Sequence, residues 1–161
     1  MKKQFKFPEN FLYYSTYVWL EDQGRGIYRI GITDFAQYVL DDIISTTLPE
    51  TGILIEREEE IVSIDSIEDT MVIKAPISGA VNEINEELRQ YPELLNESPY
   101  EKGWIFEMEL SSDDDLDLLM DSNEVLDRYQ EELDEEDIEE EIDNTLDELD
   151  ELDYEDEYSD F

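Results

Sequence analysis

Side chains able to do chemistry are unevenly supplied in this chain of 161 residues. It has no cysteine and no histidine, and it sets 48 aspartates and glutamates against ten lysines and arginines. Without thiols or imidazoles there are no thiolate nucleophiles, disulfides, imidazole bases or usual zinc ligands. Carboxylate pairs remain, of the kind a glycosidase holds across a pocket. At this acid content chance pairs are assured, and a solvated acidic surface is the simpler reading. Asp113, Asp115, Asp117 and Glu124 fall at positions one, three, five and twelve of a calcium loop. Position six, where that loop requires glycine for its turn, is Leu118, and Leu118-Leu119-Met120 suits a helix better. No metal site is expected. Gly24-Arg25-Gly26 lacks the following lysine and helix start of a phosphate loop and reads as a β-turn. No catalytic residue is assigned. What stands out is residues 63–79, SIDSIEDTMVIKAPISG: a strand, a tight turn, a strand and an Ala-Pro-Ile-Ser-Gly corner.

The elements that must position this turn follow from alternation and punctuation. Residues 13–20 alternate as a strand, residues 21–26 form a glycine-rich turn, and residues 27–32 form the next strand. Thr33 can cap a short helix with Asp34 near its positive end and Phe35, Tyr38 and Val39 on one face. Residues 43–48 return to strand, and Pro49 and Gly52 bracket a turn. Residues 60–64 lead into the hairpin and residues 71–74 lead out. Residues 81–85 make a short strand, residues 86–90 and 92–95 short helical pieces, and residues 104–110 a closing strand. Many short strands between turns predict a closed or sandwiched β core. Trp19, Trp104 and the tyrosines are read as its core and rim. Residues 115–133 predict one helix or two. Leu118, Leu119, Val125, Leu126, Tyr129 and Leu133 would supply the apolar face, and Ser122 or Asn123 the cap.

Net charge is −38 and is concentrated toward the C-terminus. Residues 134–161 hold seventeen acids and no lysine or arginine. Such a block self-repels, although Ile138, Ile142, Leu146, Leu149 and Leu152 recur at helical spacing. Binding to nucleic-acid phosphates or to an anionic membrane is excluded on charge, and a basic protein is the favoured electrostatic partner. The opening residues contain no apolar run long enough for a signal or a membrane span, and a cytoplasmic protein is expected.

Several segments, in order, resemble the glycine cleavage system H protein family. They are Tyr14-Ser15-Thr16-Tyr17-Val18-Trp19, RIGITDFAQ at residues 29–37, Leu48-Pro49-Glu50-Thr51-Gly52, and Pro76-Ile77-Ser78-Gly79. Val81-Asn82-Glu83-Ile84-Asn85, Tyr91-Pro92-Glu93-Leu94-Leu95-Asn96, Ser98-Pro99-Tyr100 and Gly103-Trp104 complete the series, and about four fifths of the chain is covered. The resemblance implies the barrel-sandwich fold of lipoyl and biotinyl domains. It also implies a Glu-Ser-Val-Lys turn whose lysine takes lipoic acid through an amide. Here those four positions read Asp65, Ser66, Ile67 and Glu68, and no gap separates Gly52 from Asp65. A carboxylate cannot form that amide. Lys74 is a poor substitute, because it sits just before the Ala75-Pro76 corner rather than at a turn apex. Three further departures from the family's pattern are Tyr17 for histidine, and Asp41 and Glu58 for glycine.

The expected fold is mainly β, a barrel-sandwich hybrid with short helices, a C-terminal helix and an acidic tail that is disordered or marginally helical. The segments are a β domain at 1–112, a helical segment at 113–133 and the tail at 134–161. The expected function is that of an H-protein-like, non-lipoylated interaction or regulatory protein and not an enzyme, with no cofactor and the degenerate turn Asp65, Ser66, Ile67, Glu68 in place of the attachment site. Glycine cleavage enzymes or lipoate-attaching enzymes are the partners implied by resemblance, and a basic protein the partner implied by the tail. One alternative is a working H protein carrying aminomethyl groups on lipoate. Another is an acidic chaperone or decoy for a basic protein.

Overall fold

A computed structural model describes residues 5–132. The chain divides into two units, Met1–Leu126 and Asp127–Phe161. All strands of the described residues lie in the first. The acidic segment 134–161 and Leu133 lie outside the described residues.

Among the described residues, nine strands form two antiparallel sheets. The first sheet has six strands in the order β1 (Leu12–Ser15), β2 (Val18–Gly24), β3 (Ile27–Ile32), β9 (Phe106–Leu110), β8 (Gly79–Ile84) and β5 (Leu54–Ile55). The second has three, in the order β4 (Ile43–Thr46), β6 (Glu60–Ser66) and β7 (Thr70–Lys74). One core serves both sheets. Leu20, Ile30 and Ile32 of the large sheet, Val62, Ile64 and Ile73 of the small one, and Leu88 and Leu95 from the connecting helical turns are all buried in it. The mainly β, lipoyl-domain-like architecture with short helices and a C-terminal helix is as the sequence predicts.

β2 buries both faces, and its period of two shows why. Val18 and Leu20 enter the main core. Trp19 points the other way, into a second cluster with Phe11, Tyr13 and Val125. Its indole Nε1 donates to the Pro99 carbonyl at 2.9 Å. A Cβ on Gly31 would come within 2.6 Å of the Trp19 ring, so only glycine leaves room for it. Across β3 and β9, Arg29 and Glu107 are direct partners. The guanidinium donates to one carboxylate oxygen from Nε at 3.0 Å and from Nη2 at 2.9 Å. It also stacks 4.5 Å from the Trp104 ring centre. This pairing explains how Glu107 can be buried.

The structure departs locally from the expected elements. Residues 13–20 are two strands, because Tyr13 pairs with Trp19 and the chain turns at Thr16 and Tyr17. The turn is closed by side chains rather than marked by glycine: the Tyr17 amide donates to Ser15 Oγ at 3.1 Å. The helix α1 (Asp34–Leu40) is capped by Thr33 as predicted, with the Ala36 amide donating to its hydroxyl at 3.2 Å. Its inward face is Ala36 and Leu40, four residues apart, and Tyr38 and Val39 are exposed. β5 is a two-residue strand with no counterpart in the predicted set. The C-terminal segment is a 3-10 helix (Asp113–Leu118) followed by a helix over 122–132. Its cap is Asp121, not Ser122 or Asn123. Asp121 Oδ1 accepts from the Glu124 amide at 2.8 Å, and Glu124 Oε1 accepts from the Asp121 amide at 3.1 Å. Leu119, Val125 and Tyr129 are buried, but Leu118 and Leu126 are exposed.

Met120 bridges Tyr13 through two backbone hydrogen bonds of 2.8 Å, which covers the outer edge of β1. Among the described residues no helix is long and apolar enough to cross a membrane.

Candidate functional site

The hairpin of β6 and β7 turns at Ser66–Asp69. Val62 and Ile64 of β6 and Ile73 of β7 anchor its inner face in the core. Beyond β7, Ala75, Pro76 and Ile77 are buried at the corner, and the Ala75 amide donates to the Glu59 carbonyl at 2.8 Å. The turn itself is tied down at several points. The Ser66 amide donates to the Asp69 carbonyl at 2.8 Å. Ser66 Oγ accepts from the Glu68 amide at 3.2 Å and the Asp69 amide at 3.1 Å. The Ile67 amide donates to the Asp42 carbonyl at 3.0 Å, which fastens the tip to the residues after α1. The Asp65 carboxylate accepts from Thr70 Oγ1 at 2.7 Å and Ser45 Oγ at 3.3 Å, so it braces the hairpin neck.

Glu68 stands exposed at the tip, and its carboxylate makes no hydrogen bond or ion pair among the described residues. The turn thus holds a side chain outward without using that side chain. Lys74 lies five residues beyond the turn, within β7 and opposite Glu60, so the structure does not bring it to the tip. A carboxylate at position 68 has no amine for an amide to lipoic acid, and the residues of this turn do not fit that cofactor.

Beside the hairpin is a cleft of about 630 Å³. One wall is the end of α1, with Tyr38, Val39, Leu40 and Asp41; the other is Glu68, Asp69, Thr70, Met71 and Val72; Tyr17 also lines it. Tyr17 stacks on Phe35 with ring centres 5.4 Å apart. An adjoining groove of about 480 Å³ adds Gln37, Asp42 and Asn96. Among the described residues neither is lined by a lysine or arginine. Sequence reasoning missed the cleft. The sequence predicts only that Phe35, Tyr38 and Val39 share one face of a short helix, and no local motif marks where β7 and α1 converge.

Asp41 and Glu58, the two residues noted where glycine was expected, both have positive φ, 67° and 80°. The backbone therefore keeps the glycine-like shape with a side chain on it. Asp41 ends α1: its amide donates to the Gln37 carbonyl at 3.0 Å, and its carbonyl accepts from Asn96 Nδ2 at 2.8 Å. The Glu58 carboxylate accepts from the Tyr14 hydroxyl.

The residues weighed for calcium are not brought together. Asp113, Asp115 and Asp117 lie on the 3-10 helix, Asp115 Oδ2 accepts from the Ser78 amide at 2.7 Å, and Glu124 is committed to its cap. Among the described residues no three acids are grouped to hold an ion. The groups whose proton affinity the fold shifts are tyrosines away from the turn. Burial raises the hydroxyl pKa of Tyr13, with Tyr100 adding to it, and of Tyr28, with Asp22 and Asp113 adding to it. Burial also raises that of Tyr100, with the Asp34 amide bond partly opposing.

Residues 11–132 match the family model described as glycine cleavage H-protein. The chain is 38% identical over 130 residues to the glycine cleavage system H protein of Pectobacterium atrosepticum, covering 81% of this chain and 97% of that one. It is 42% identical over 118 residues to that of Brevibacillus brevis, covering 73% of this chain and 93% of that one. Among solved structures it is similar to a glycine cleavage system H protein from Mycobacterium marinum. There the TM-score is 0.68 at 22% identity, over 77% of this chain and 99% of the other, a likeness of fold. By sequence, over residues 11–132, the chain belongs to the glycine cleavage H-protein family.

Proposed function

We propose that this chain is an H-protein-like interaction or regulatory protein that carries no lipoate. The observation that supports this is Glu68 at the tip of the Ser66–Asp69 turn, in an ungapped run from Gly52 through the hairpin. An H protein is a carrier rather than an enzyme, and so this chain is not an enzyme. Its remaining capacity is to present the shape of the hairpin and cleft to proteins that read an H-protein surface. Enzymes of glycine cleavage and of lipoate attachment are the partners we assign. The turn is held by its own hydrogen bonds, and that shape does not depend on the residue at its apex.

The experiment is intact mass after exposure to a lipoate-attaching enzyme, under conditions that label an ordinary H protein. The native chain should gain no mass. Glu68→Lys should gain one lipoyl group, at small folding cost because the residue is exposed and unbonded. A lipoyl group on any residue of the native chain overturns the proposal. A folded Glu68→Lys protein that stays unlabelled would mean that recognition by the attaching enzyme has been lost as well.

A further inference from the structure

The bonding of β6 fixes how β7 presents its backbone. Ser63 lies opposite Val72. Its carbonyl accepts from the Thr47 amide at 2.9 Å, and its amide donates to Thr47 Oγ1 at 2.8 Å. Both polar groups of Ser63 are therefore turned toward the β4 side. In an antiparallel ladder the residue opposite such a position points its own amide and carbonyl away from the pair. Counting along the ladder from the bonded pair Ser66 and Asp69 gives the same phase. Val72 thus directs its N–H and C=O to the free side of β7, where no strand pairs among the described residues.

The cleft lies on that side. It touches Thr70, Met71 and Val72 but no residue of β6. Successive strand residues face opposite ways, so a cavity reached by all three runs along the edge of the strand rather than over one face. Exposed Tyr38, Val39 and Val72 make it apolar. Asp41, Glu68 and Asp69 on its rim, with Asp42 in the adjoining groove, make it anionic.

We propose that the free edge of β7 docks an extended segment of a partner protein in which lysine or arginine alternates with apolar residues. The segment adds as a strand and exchanges hydrogen bonds with Val72. Its apolar side chains rest on Tyr38, Val39 and Val72, and its cations face Asp41, Asp42, Glu68 and Asp69. A second copy of this chain is the wrong occupant, since each copy has a net charge of −38. The inference rests on the non-lipoylated reading, because residue 68 lines the same cleft, and it names the class of partner for that surface.

The test uses the full-length chain in about 0.15 M salt, so that loose attraction to the acidic segment is screened. The probe is a labelled peptide, acetyl-Lys-Ile-Lys-Val-Lys-Ile-amide, followed by fluorescence anisotropy and by amide NMR shifts. It should shift the amides of Thr70, Met71 and Val72. N-methylation of one alternate set of peptide residues, the lysines or the apolar ones, should weaken binding about tenfold or more, because only one set faces β7. Val72→Pro removes the outward N–H at an edge position that tolerates proline and should weaken binding to a similar extent. Val72→Lys, which keeps the backbone and adds a repelling charge, decides the matter if the proline variant does not fold. Equal binding of both methylated peptides overturns the inference. So does equal binding of acetyl-Lys-Gly-Lys-Ser-Lys-Gly-amide, or shifts confined to residues 134–161. Sedimentation of the free chain as a dimer joined through this edge overturns it too. None of these results alters the lipoylation outcome, and a lipoyl group found on the native chain would overturn the underlying reading while leaving the titration intact.

Discussion

Replacing Asp41 by glycine should stabilise this protein. Asp41 has φ 67° and ψ −148°, a region that residues with a Cβ rarely adopt. Holding a non-glycine residue there costs on the order of 1–3 kcal/mol. Glycine removes that strain but gives the unfolded chain more freedom, which takes back roughly 0.5–1 kcal/mol. The net gain is about 1 kcal/mol, equivalent to a rise of about 0.5 M in the urea midpoint for a slope near 2 kcal/mol per molar. The two backbone hydrogen bonds at this position, to Gln37 and from Asn96, survive the change, and among the described residues the exposed carboxylate has no partner to lose. Asp41→Ala is the control. It removes the same charge and keeps the Cβ, so any gain from relieved repulsion appears in both variants and only the strain separates them. The assay is paired urea titration of the three proteins by tryptophan fluorescence. If glycine is no more stable than alanine at this position, the backbone carries no strain and the reasoning fails. Glu58 offers a contrast: its φ is 80°, but its carboxylate accepts from Tyr14, so glycine there should gain less than at Asp41.

Stability should also fall in alkali. Tyr13 and Tyr100 are held neutral by burial above their ordinary pKa, so above about pH 10 the unfolded chain loses protons that the folded chain keeps. Their contribution is complete below that pH and is lost as pH rises, at about 1.4 kcal/mol per unit for each tyrosine. A urea midpoint that stays flat between about pH 9 and 11.5 would count against it. Gly79→Ala should destabilise by about 3 kcal/mol or more, since its Cβ would lie 2.0 Å from the Glu109 backbone oxygen and force β8 and β9 apart; near-native thermal unfolding would refute this.

The strands with clean alternation were legible in the sequence. β3 at Ile27–Ile32 and the arms of the hairpin stand as the residues predict, because their apolar positions have one face to fill. The break between β1 and β2 was not legible. Its turn uses Thr16 and Tyr17, and its closing bonds come from Ser15 and from Thr33, whose hydroxyl donates to the Thr16 carbonyl at 2.6 Å. A residue seventeen positions away leaves no local signal of a turn. Which face of α1 turns inward is not legible for a related reason. Tyr38 and Val39 are apolar enough for a core, but Thr33 sets the helix start so that Ala36 and Leu40 take the inner positions. The cap of the last helix was readable and was overlooked: Asp121 and Glu124 have the spacing of a reciprocal capping pair. The hairpin tip was visible as a motif, whereas the cleft depends on where β7 and α1 meet, and only the tertiary fold fixes that.

The hairpin holds its shape through Ser66, Asp65 and the reach of Ile67 to Asp42, and it asks nothing of the side chain at position 68. Architecture and chemistry are therefore separable at this point. Glutamate and lysine codons differ by a single nucleotide, so a lineage can cross between the two in one step with no intermediate that misfolds. Such a crossing carries a small folding cost, and what it changes is the chemistry at the apex. For a carrier of this architecture, gain or loss of an amine at the apex changes the charge on the rim of the cleft and leaves the bonding of the turn as it is.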